Sequence, residues 1–362
     1  MLVLITLAAL MSGALLFIGV VYVNSSGRPK PYLDKDGRPL AGSISEKVFA
    51  DINGVKQGMF IKGRSLPNPV LLYLHGGMPD FFLTQRHPSG LENHFTVVWW
   101  EQRGAGISYD GRIDLNALTG RQLIEDTKTL SRYLCQRFGR ERIYLMGHSG
   151  GTFIGLQAAA EAPELYEAYI GVAQMVDQRA SEKEAYDYML RSFEEQGDNA
   201  MADKLRRAPV SRQGAIPKGY WAVRDKAMHR LGVGTMHDMR SVLTGLFIPS
   251  LFFREYSFAD KIKLWRAKAR SGVSVIAKEI LATNLSRKTT RLDVPFYVFH
   301  GSMDRTVSYA LSKAFFERVQ APVKGFYTFA RSAHSPLFEE PRKLAEIIVN
   351  DVLNRKTGSS DK

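Results

Sequence analysis

Residues 143–160 read Ile-Tyr-Leu-Met-Gly-His-Ser-Gly-Gly-Thr-Phe-Ile-Gly-Leu-Gln-Ala-Ala-Ala. An apolar run, a Gly-x-Ser-x-Gly turn and a stretch of small residues predict a buried strand, a sharp corner and a helix. Such a strand–turn–helix unit is the setting in which this turn carries a nucleophilic serine. The corner strains the serine backbone and leaves no room for a Cβ two positions away on either side, which Gly147 and Gly151 accommodate. Ser149 Oγ is then expected to project from the strand end, with the Gly150 N–H facing the place where an oxyanion would form. The plainer reading of the same letters is a glycine-rich turn that only packs a helix close to a strand.

Outward from this corner the chain keeps alternating strand and helix. Before it, strands are expected at 45–52 and 58–62, joined by the turn Asn53-Gly54. The solid apolar runs 70–74 and 96–100 suit strands buried on both faces. Leu123 to Phe138 has helical spacing, and 168–172 is the strand after the corner helix. Between 177 and 291 no strong strand run appears, and the segment is helical and basic, with Lys204, Arg206, Arg207, Lys261, Lys263, Arg266, Lys268 and Arg270. Strands return at 294–299 and 324–329, with helices at 308–319 and 341–353. The fold class expected is α/β, a mostly parallel central sheet with helices on both faces and an inserted helical cap. The expected division is an anchor at 1–23, a linker at 24–42, core at 43–176 and 292–355, the cap at 177–291, and a polar tail at 356–362.

A serine hydroxyl needs a base in hydrogen-bond reach, itself oriented by an acid. In this fold class the partners follow in the order Ser, Asp or Glu, His. After the insertion two turns at strand ends have the right content. His300-Gly301-Ser302-Met303-Asp304 follows the strand 294–299, and Ala330-Arg331-Ser332-Ala333-His334 follows 324–329. His334 is the only histidine beyond residue 300. Asp304 is favoured as the acid by chain order, with Asp177 as its competitor. Taken singly, Asp304 reads equally as a loop cap and His334 as a surface residue. A second oxyanion donor is expected from His75-Gly76-Gly77, after the strand 70–74; Gly77 is the candidate, paired with Gly150, while His75 braces the loop.

The first 23 residues contain the uncharged apolar run from Leu2 to Val23, about 33 Å as a helix and long enough for a bilayer core. The run is long, no Lys or Arg precedes it and no clear Ala-x-Ala site ends it, which favours a membrane anchor over a cleaved signal. Arg28, Lys30, Lys35 and Arg38 all follow it, so the positive-inside rule puts the body in the cytoplasm. The single cysteine, Cys135, excludes an intramolecular disulfide and a cysteine-rich metal site. The net charge is +13, yet no zinc-finger spacing or RNA-binding aromatic motif accompanies it. A basic face beside a lipid bilayer is the expected use of that charge, not nucleic acid.

Together, His75-Gly76-Gly77, Trp100-Glu101-Gln102-Arg103-Gly104-Ala105-Gly106-Ile107-Ser108, the Ser149 corner and the Asp304 and His334 turns resemble the α/β-hydrolase superfamily. Within it the resemblance is to the prolyl aminopeptidase (proline iminopeptidase)-like group, over roughly residues 45–355. The resemblance implies a helical cap over the site and an acyl-enzyme mechanism without metal or cofactor. Two departures stand out. Met78-Pro79-Asp80 replaces the usual Pro-Gly after the glycines, and Gly150 stands where Trp often follows the serine. The group also uses cap carboxylates to hold a substrate amino terminus, and Glu182, Glu184, Glu194 and Glu255 do not match them clearly. The expected activity is therefore a membrane-anchored serine hydrolase acting on an ester, small amide or short peptide. The alternatives are a ligand-binding protein without turnover, or an anchored scaffold whose basic cap binds anionic lipid. The apolar stretch 246–253 in the cap could line an acyl pocket, rest on the bilayer or form the cap's own core.

Overall fold

In the computed structural model, which describes residues 1–272 and 274–361, the apolar runs pair into one eight-stranded sheet. Its strands are β1 (Ile44–Ile52), β2 (Val55–Gly63), β3 (Val70–Leu74), β4 (Thr96–Glu101), β5 (Ile143–His148), β6 (Tyr166–Val172), β7 (Phe296–Gly301) and β8 (Lys324–Phe329). They lie in the order β1-β2-β4-β3-β5-β6-β7-β8. The β1–β2 and β2–β4 pairs are antiparallel and the rest parallel. Every residue of β3, β4, β5 and β7 is buried, as expected of strands covered on both faces. The β1–β2 hairpin is tighter than the sequence spacing suggests: Ile52 pairs directly with Val55. Asn53 and Gly54 both take positive φ, 51° and 74°, so the two-residue turn lets β2 begin three residues earlier than expected.

Strand order decides where the site can form. From β3 the chain moves to one side to make β4 and then returns to the other side of β3 to make β5. Loops leaving the carboxyl ends of β3 and β5 therefore diverge, opening a crevice at this switch point. One loop carries His75, Gly76 and Gly77 and the other is the Ser149 corner.

Helices α1 (Leu2–Val23), α2 (Gly120–Phe138) and α3 (Gly150–Glu161) precede a helical segment between β6 and β7. That segment holds α4 (Gln178–Glu195), α5 (Asn199–Arg206), α6 (Lys218–Arg230), α7 (Ile248–Phe252), α8 (Phe258–Ser271), α9 (Ala277–Ala282) and α10 (Leu285–Lys288). Tyr186, Met189, Phe193, Leu205 and Tyr220 give it a core of its own. Helices α11 (Tyr309–Arg318), α12 (Pro336–Glu339) and α13 (Pro341–Asn350) complete the chain around β8. Stretch 24–42 forms no helix or strand but is fastened down, for example by Ser26 Oγ donating to Arg254 O at 2.7 Å. The polar end is also held: Asp361 N donates to Phe326 O at 2.8 Å, beside β8.

The Glu-Gln-Arg-Gly-Ala-Gly-x-Ser stretch works as a clasp. Arg103 pairs with Asp126 of α2 through two bonds, Nε to Oδ2 at 2.6 Å and Nη2 to Oδ1 at 2.9 Å. Asp126 also accepts from Gln57 (2.8 Å), Asn53 (2.8 Å) and Gln122 (3.0 Å), so one buried carboxylate ties the hairpin, the β4 loop and α2 together. A buried ion pair stripped of one partner leaves an uncompensated charge. Asp126→Ala is expected to destabilise the fold by about 3–5 kcal/mol, read by chemical denaturation. A loss below about 1 kcal/mol would contradict the clasp.

Candidate active site

Ser149 sits between β5 and α3 with φ 55° and ψ −122°, the one strained residue of the corner. A Cβ on Gly151 would lie 2.1 Å from Leu74 O, and one on Gly147 would lie 2.7 Å from Gly151 O. The start of α3 is thus pressed onto the end of β3, and glycine alone fits. Ser149 N donates to Val172 O at 3.0 Å, which fixes the corner to β6.

His334 and Asp304 come from the turns after β8 and β7. His334 Nδ1 and Asp304 Oδ2 are 2.8 Å apart. A carboxylate only accepts, so Nδ1 carries the proton and Nε2 is left with its lone pair. Asp304 Oδ1 accepts from Thr306 N at 2.8 Å and Val307 N at 3.1 Å, and His300 Nε2 lies 3.2 Å from Oδ2. Burial opposes ionisation of Asp304, but His334 and His300 beside it hold its carboxyl well below the usual carboxylate range. Burial lowers the His334 pKa below the ordinary 6.5, against the opposing pull of Asp304. Asp177, the competing acid, is occupied elsewhere: it caps α4 through Ala180 N (3.0 Å) and accepts from Asn284 (3.0 Å).

Ser149, His334, Gly77 and Gly150 all border one cavity of about 460 Å³, between the strand ends and the cap. Asp304 lies fully buried behind His334. Among the described residues no hydrogen bond joins Ser149 Oγ to His334 Nε2; such contacts commonly tighten only with substrate in place. Gly76 presses against the serine, since a Cβ there would lie 2.8 Å from Ser149 Cβ. His75 braces this loop. Its Nε2 accepts from Gln102 N at 3.2 Å and its Nδ1 is 2.9 Å from Gly76 O, a neutral arrangement in keeping with a pKa lowered by burial to about 4.

Three further residues complete the site, and motif reading passed over all of them. His148, the variable residue of the Gly-x-Ser-x-Gly turn, reaches Asp80 Oδ2 (3.1 Å) with Nδ1 and the His334 carbonyl (2.9 Å) with Nε2. Asp80 also accepts from Tyr73 OH at 2.7 Å. The rebuilt Met78-Pro79-Asp80 loop thus supplies a carboxylate that holds His148, which in turn holds the His334 backbone. Lys268 reaches down from α8 and donates to Gly77 O at 3.2 Å, so the cap touches the glycine loop directly. No sequence signal marks the first two, and nothing local marks Lys268 among its basic neighbours.

The cap carboxylates are committed. Glu182 borders the cavity but takes two bonds from Arg224, at 2.7 and 2.8 Å, and one each from Tyr220 (2.7 Å) and Gln178 (2.9 Å). Glu255 pairs with Lys62 at 2.8 Å, Glu194 with Arg206 at 2.6 Å, and Glu184 accepts from Ser308 Oγ at 2.5 Å. The cavity edge instead carries Arg224, Lys268 and Lys278, with Asp225 beside Arg224. No group of three or more His, Cys, Asp or Glu side chains is disposed to hold a metal among the described residues.

The chain is similar to a curated protein of Bacillus subtilis (strain 168) named "Probable aminopeptidase YbaC". The two are 30% identical over 320 residues, covering 86% of this chain and 97% of that one. Its fold is similar to that of the proline iminopeptidase of Mycobacterium smegmatis, with a TM-score of 0.61 and 12% identity, over 85% of this chain and 98% of that one. It is also similar to a proline iminopeptidase-related protein of Thermus thermophilus, with a TM-score of 0.57 and 18% identity, over 84% of this chain and 98% of that one. A family model described as the alpha/beta hydrolase fold matches residues 69–341, which contain the β3 loop, the serine corner and both later turns. The chain belongs to the α/β-hydrolase fold family.

Proposed function

We propose that this hydrolase cleaves an ester or small amide through Ser149, His334 and Asp304, while anchored to a membrane by α1. The observation that carries the reading is the 2.8 Å His334–Asp304 bond opening onto the cavity that holds Ser149. His334 Nε2 takes the Ser149 proton as Oγ attacks the carbonyl carbon. The Gly77 and Gly150 amides hold the oxyanion. On collapse the bond to the leaving oxygen or nitrogen breaks, and His334 returns the proton to that atom. Water, deprotonated by the same imidazole, then cleaves the acyl–Ser149 bond, releasing the acid and restoring the hydroxyl. Asp304 keeps the imidazole in the tautomer this cycle needs and stabilises its charged form.

An ester is favoured over an amino-terminal peptide by the commitment of the cap carboxylates. Glu182 directs both oxygens to Arg224, and Asp80 is taken up by His148 and Tyr73, so neither is free to hold an ammonium group. The aminopeptidase name of the Bacillus subtilis relative supports the second reading, cleavage after an amino-terminal residue. Membrane anchoring is supported by a helix, Val3–Val23, that is long and apolar enough to cross a bilayer and has none of its most apolar window buried. It is also supported by the seating of that helix. Lys261 donates to Asn24 O (2.8 Å) and Ser25 Oγ (2.7 Å), an attachment that a cleaved signal would not need. The basic residues that follow α1 favour a cytoplasmic body.

Turnover of p-nitrophenyl butyrate should exceed that of proline p-nitroanilide. Ser149→Ala and Asp304→Asn should each lower kcat for the ester by about 10³-fold or more. Faster anilide hydrolysis would replace the ester reading with the aminopeptidase one. The acid limb of kcat/KM should follow His334, which must be neutral to accept a proton. Because burial holds its pKa below the ordinary 6.5, the half-point of that limb should also lie below 6.5. A half-point above about pH 7 would contradict that environment.

A further inference from the structure

A second cavity, of about 260 Å³, lies where α1 meets the cap. Phe17, Ile18 and Val21 of α1 form one wall, and Phe247, Leu251, Ile262 and Trp265 of the cap form much of the other. Phe17 meets Phe252 at 6.2 Å and Tyr22 meets Phe258 at 6.0 Å, both edge-on. The one charged side chain on this lining, Lys261, turns its ammonium to Asn24 and Ser25. Apolar cavities of about 150 Å³ already hold a ligand the size of benzene, so this one has room for a length of hydrocarbon.

Trp265 belongs to both cavities: it lines the one under the anchor and the one that holds Ser149. Its indole N–H donates to Ser250 Oγ at 2.8 Å, and its ring stands edge-on to Phe247 at 4.7 Å. The neighbouring Leu246 borders the Ser149 cavity while Phe247 borders the outer one, so a single wall of side chains separates them. Helix α8 sets the distance. Lys261, Trp265 and Lys268 are spaced i, i+4 and i+7 and share one face. Lys261 holds the end of the anchor, and Lys268 holds Gly77 beside the serine. The rise of the helix between them is about 10 Å. The start of α8 is itself fixed, by its Ser257–Asp260 capping box and by Lys47 on Asp260 at 2.5 Å. Leu243, Ile248 and Ile262 are exposed on the same cap elements, 56%, 39% and 46% respectively.

We propose that the cavity under the anchor is a bilayer-side entrance that takes the hydrocarbon chain of an amphiphilic ester and leads it past Trp265 to Ser149. The proposal rests on the hydrolase and anchor readings and adds the class of substrate, an ester lipid drawn from the membrane that α1 crosses. An exposed apolar helix is solvated by lipid chains, so a cavity opening along its inner side faces lipid. A chain entering there leaves water for apolar surface over its whole length, the term that favours its burial. Helix α8, which lines that cavity with Lys261, Ile262 and Trp265, also carries the exposed Arg266, a charge that favours an anionic bilayer surface.

The full chain in vesicles of phosphatidylcholine and phosphatidylglycerol is assayed on two esters. One is p-nitrophenyl acetate in the water; the other is 4-methylumbelliferyl oleate in the bilayer. Ile262→Trp and Leu251→Trp fill the outer cavity without touching the inner one. Each is expected to lower oleate turnover at least tenfold and to leave acetate turnover within twofold. Equal loss on both esters, or undiminished oleate turnover, overturns the proposal. Wild type that cleaves acetate but not oleate overturns it while leaving the hydrolase reading intact; wild type inert on both overturns the two together. Photocrosslinking keeps the test independent of the variants' folding. Wild-type protein irradiated in vesicles holding a diazirine-bearing acyl phosphatidylcholine should carry adducts on the peptide containing Ile262 and Trp265. Adducts confined to α1 would overturn the entrance.

Discussion

The close packing of α3 onto the end of β3 is the constraint from which the site follows. A Cβ at Gly151 would come within 2.1 Å of the Leu74 carbonyl oxygen, a distance no relaxation of a flexible side chain relieves. The approach holds Ser149 at φ 55°, turns its side chain out of the strand line and sets Gly76 against it. Strand order then supplies everything else. Because β3 and β5 are neighbours at the point where the order reverses, the glycine loop and the serine corner must face each other across a crevice. Strands β7 and β8, added in parallel on the far side, deliver Asp304 and His334 at the same edge.

Around this frame the polar groups form two linked chains. In one, His300 and the Thr306 and Val307 amides fix Asp304, and Asp304 fixes the His334 ring. In the other, Tyr73 and Asp80 fix His148, and His148 fixes the His334 backbone. Ring and backbone of one histidine are thus held from two directions, which is how a flexible loop residue is given a single orientation. Glu101 ties the loop after β4 to the cap. Oε2 accepts from Ile107 N at 2.6 Å, Tyr256 OH of the cap donates to Oε1, and burial raises its pKa to about 7. The cap is therefore bonded to the frame around Ser149 and to the end of α1 at once, and α8 is the element common to both.

Much of this was legible in the sequence because it rests on local rules. The serine corner needs glycines at fixed offsets, buried parallel strands need unbroken apolar runs, and the acid and base must follow strands. Residues 143–151, 304 and 334 satisfy those rules without knowledge of any contact. What could not be read depends on pairings distant along the chain. Asp80 and His148 are 68 residues apart, and neither has a pattern that announces the other. Lys268 sits in a basic helix whose sequence says nothing of its contact with Gly77, 191 residues away. Glu182 matches no amine-holding pattern in the sequence, and its actual partner, Arg224, lies 42 residues on. The stretch 246–253 divides between pocket and core: Leu246 borders the inner cavity, Phe247 and Leu251 the outer one, and Phe253 is core.

The central claim is that Ser149 is an activated nucleophile, and reaction of the full chain with a fluorophosphonate probe tests it most directly. An unactivated serine hydroxyl does not react with such a probe at neutral pH, so labelling reports the base and oxyanion site as well as the serine. The account predicts one adduct, mapped to the peptide containing Ser149 and lost in both Ser149→Ala and His334→Ala. A folded wild-type protein that takes up no label, or one labelled on another serine, would contradict it.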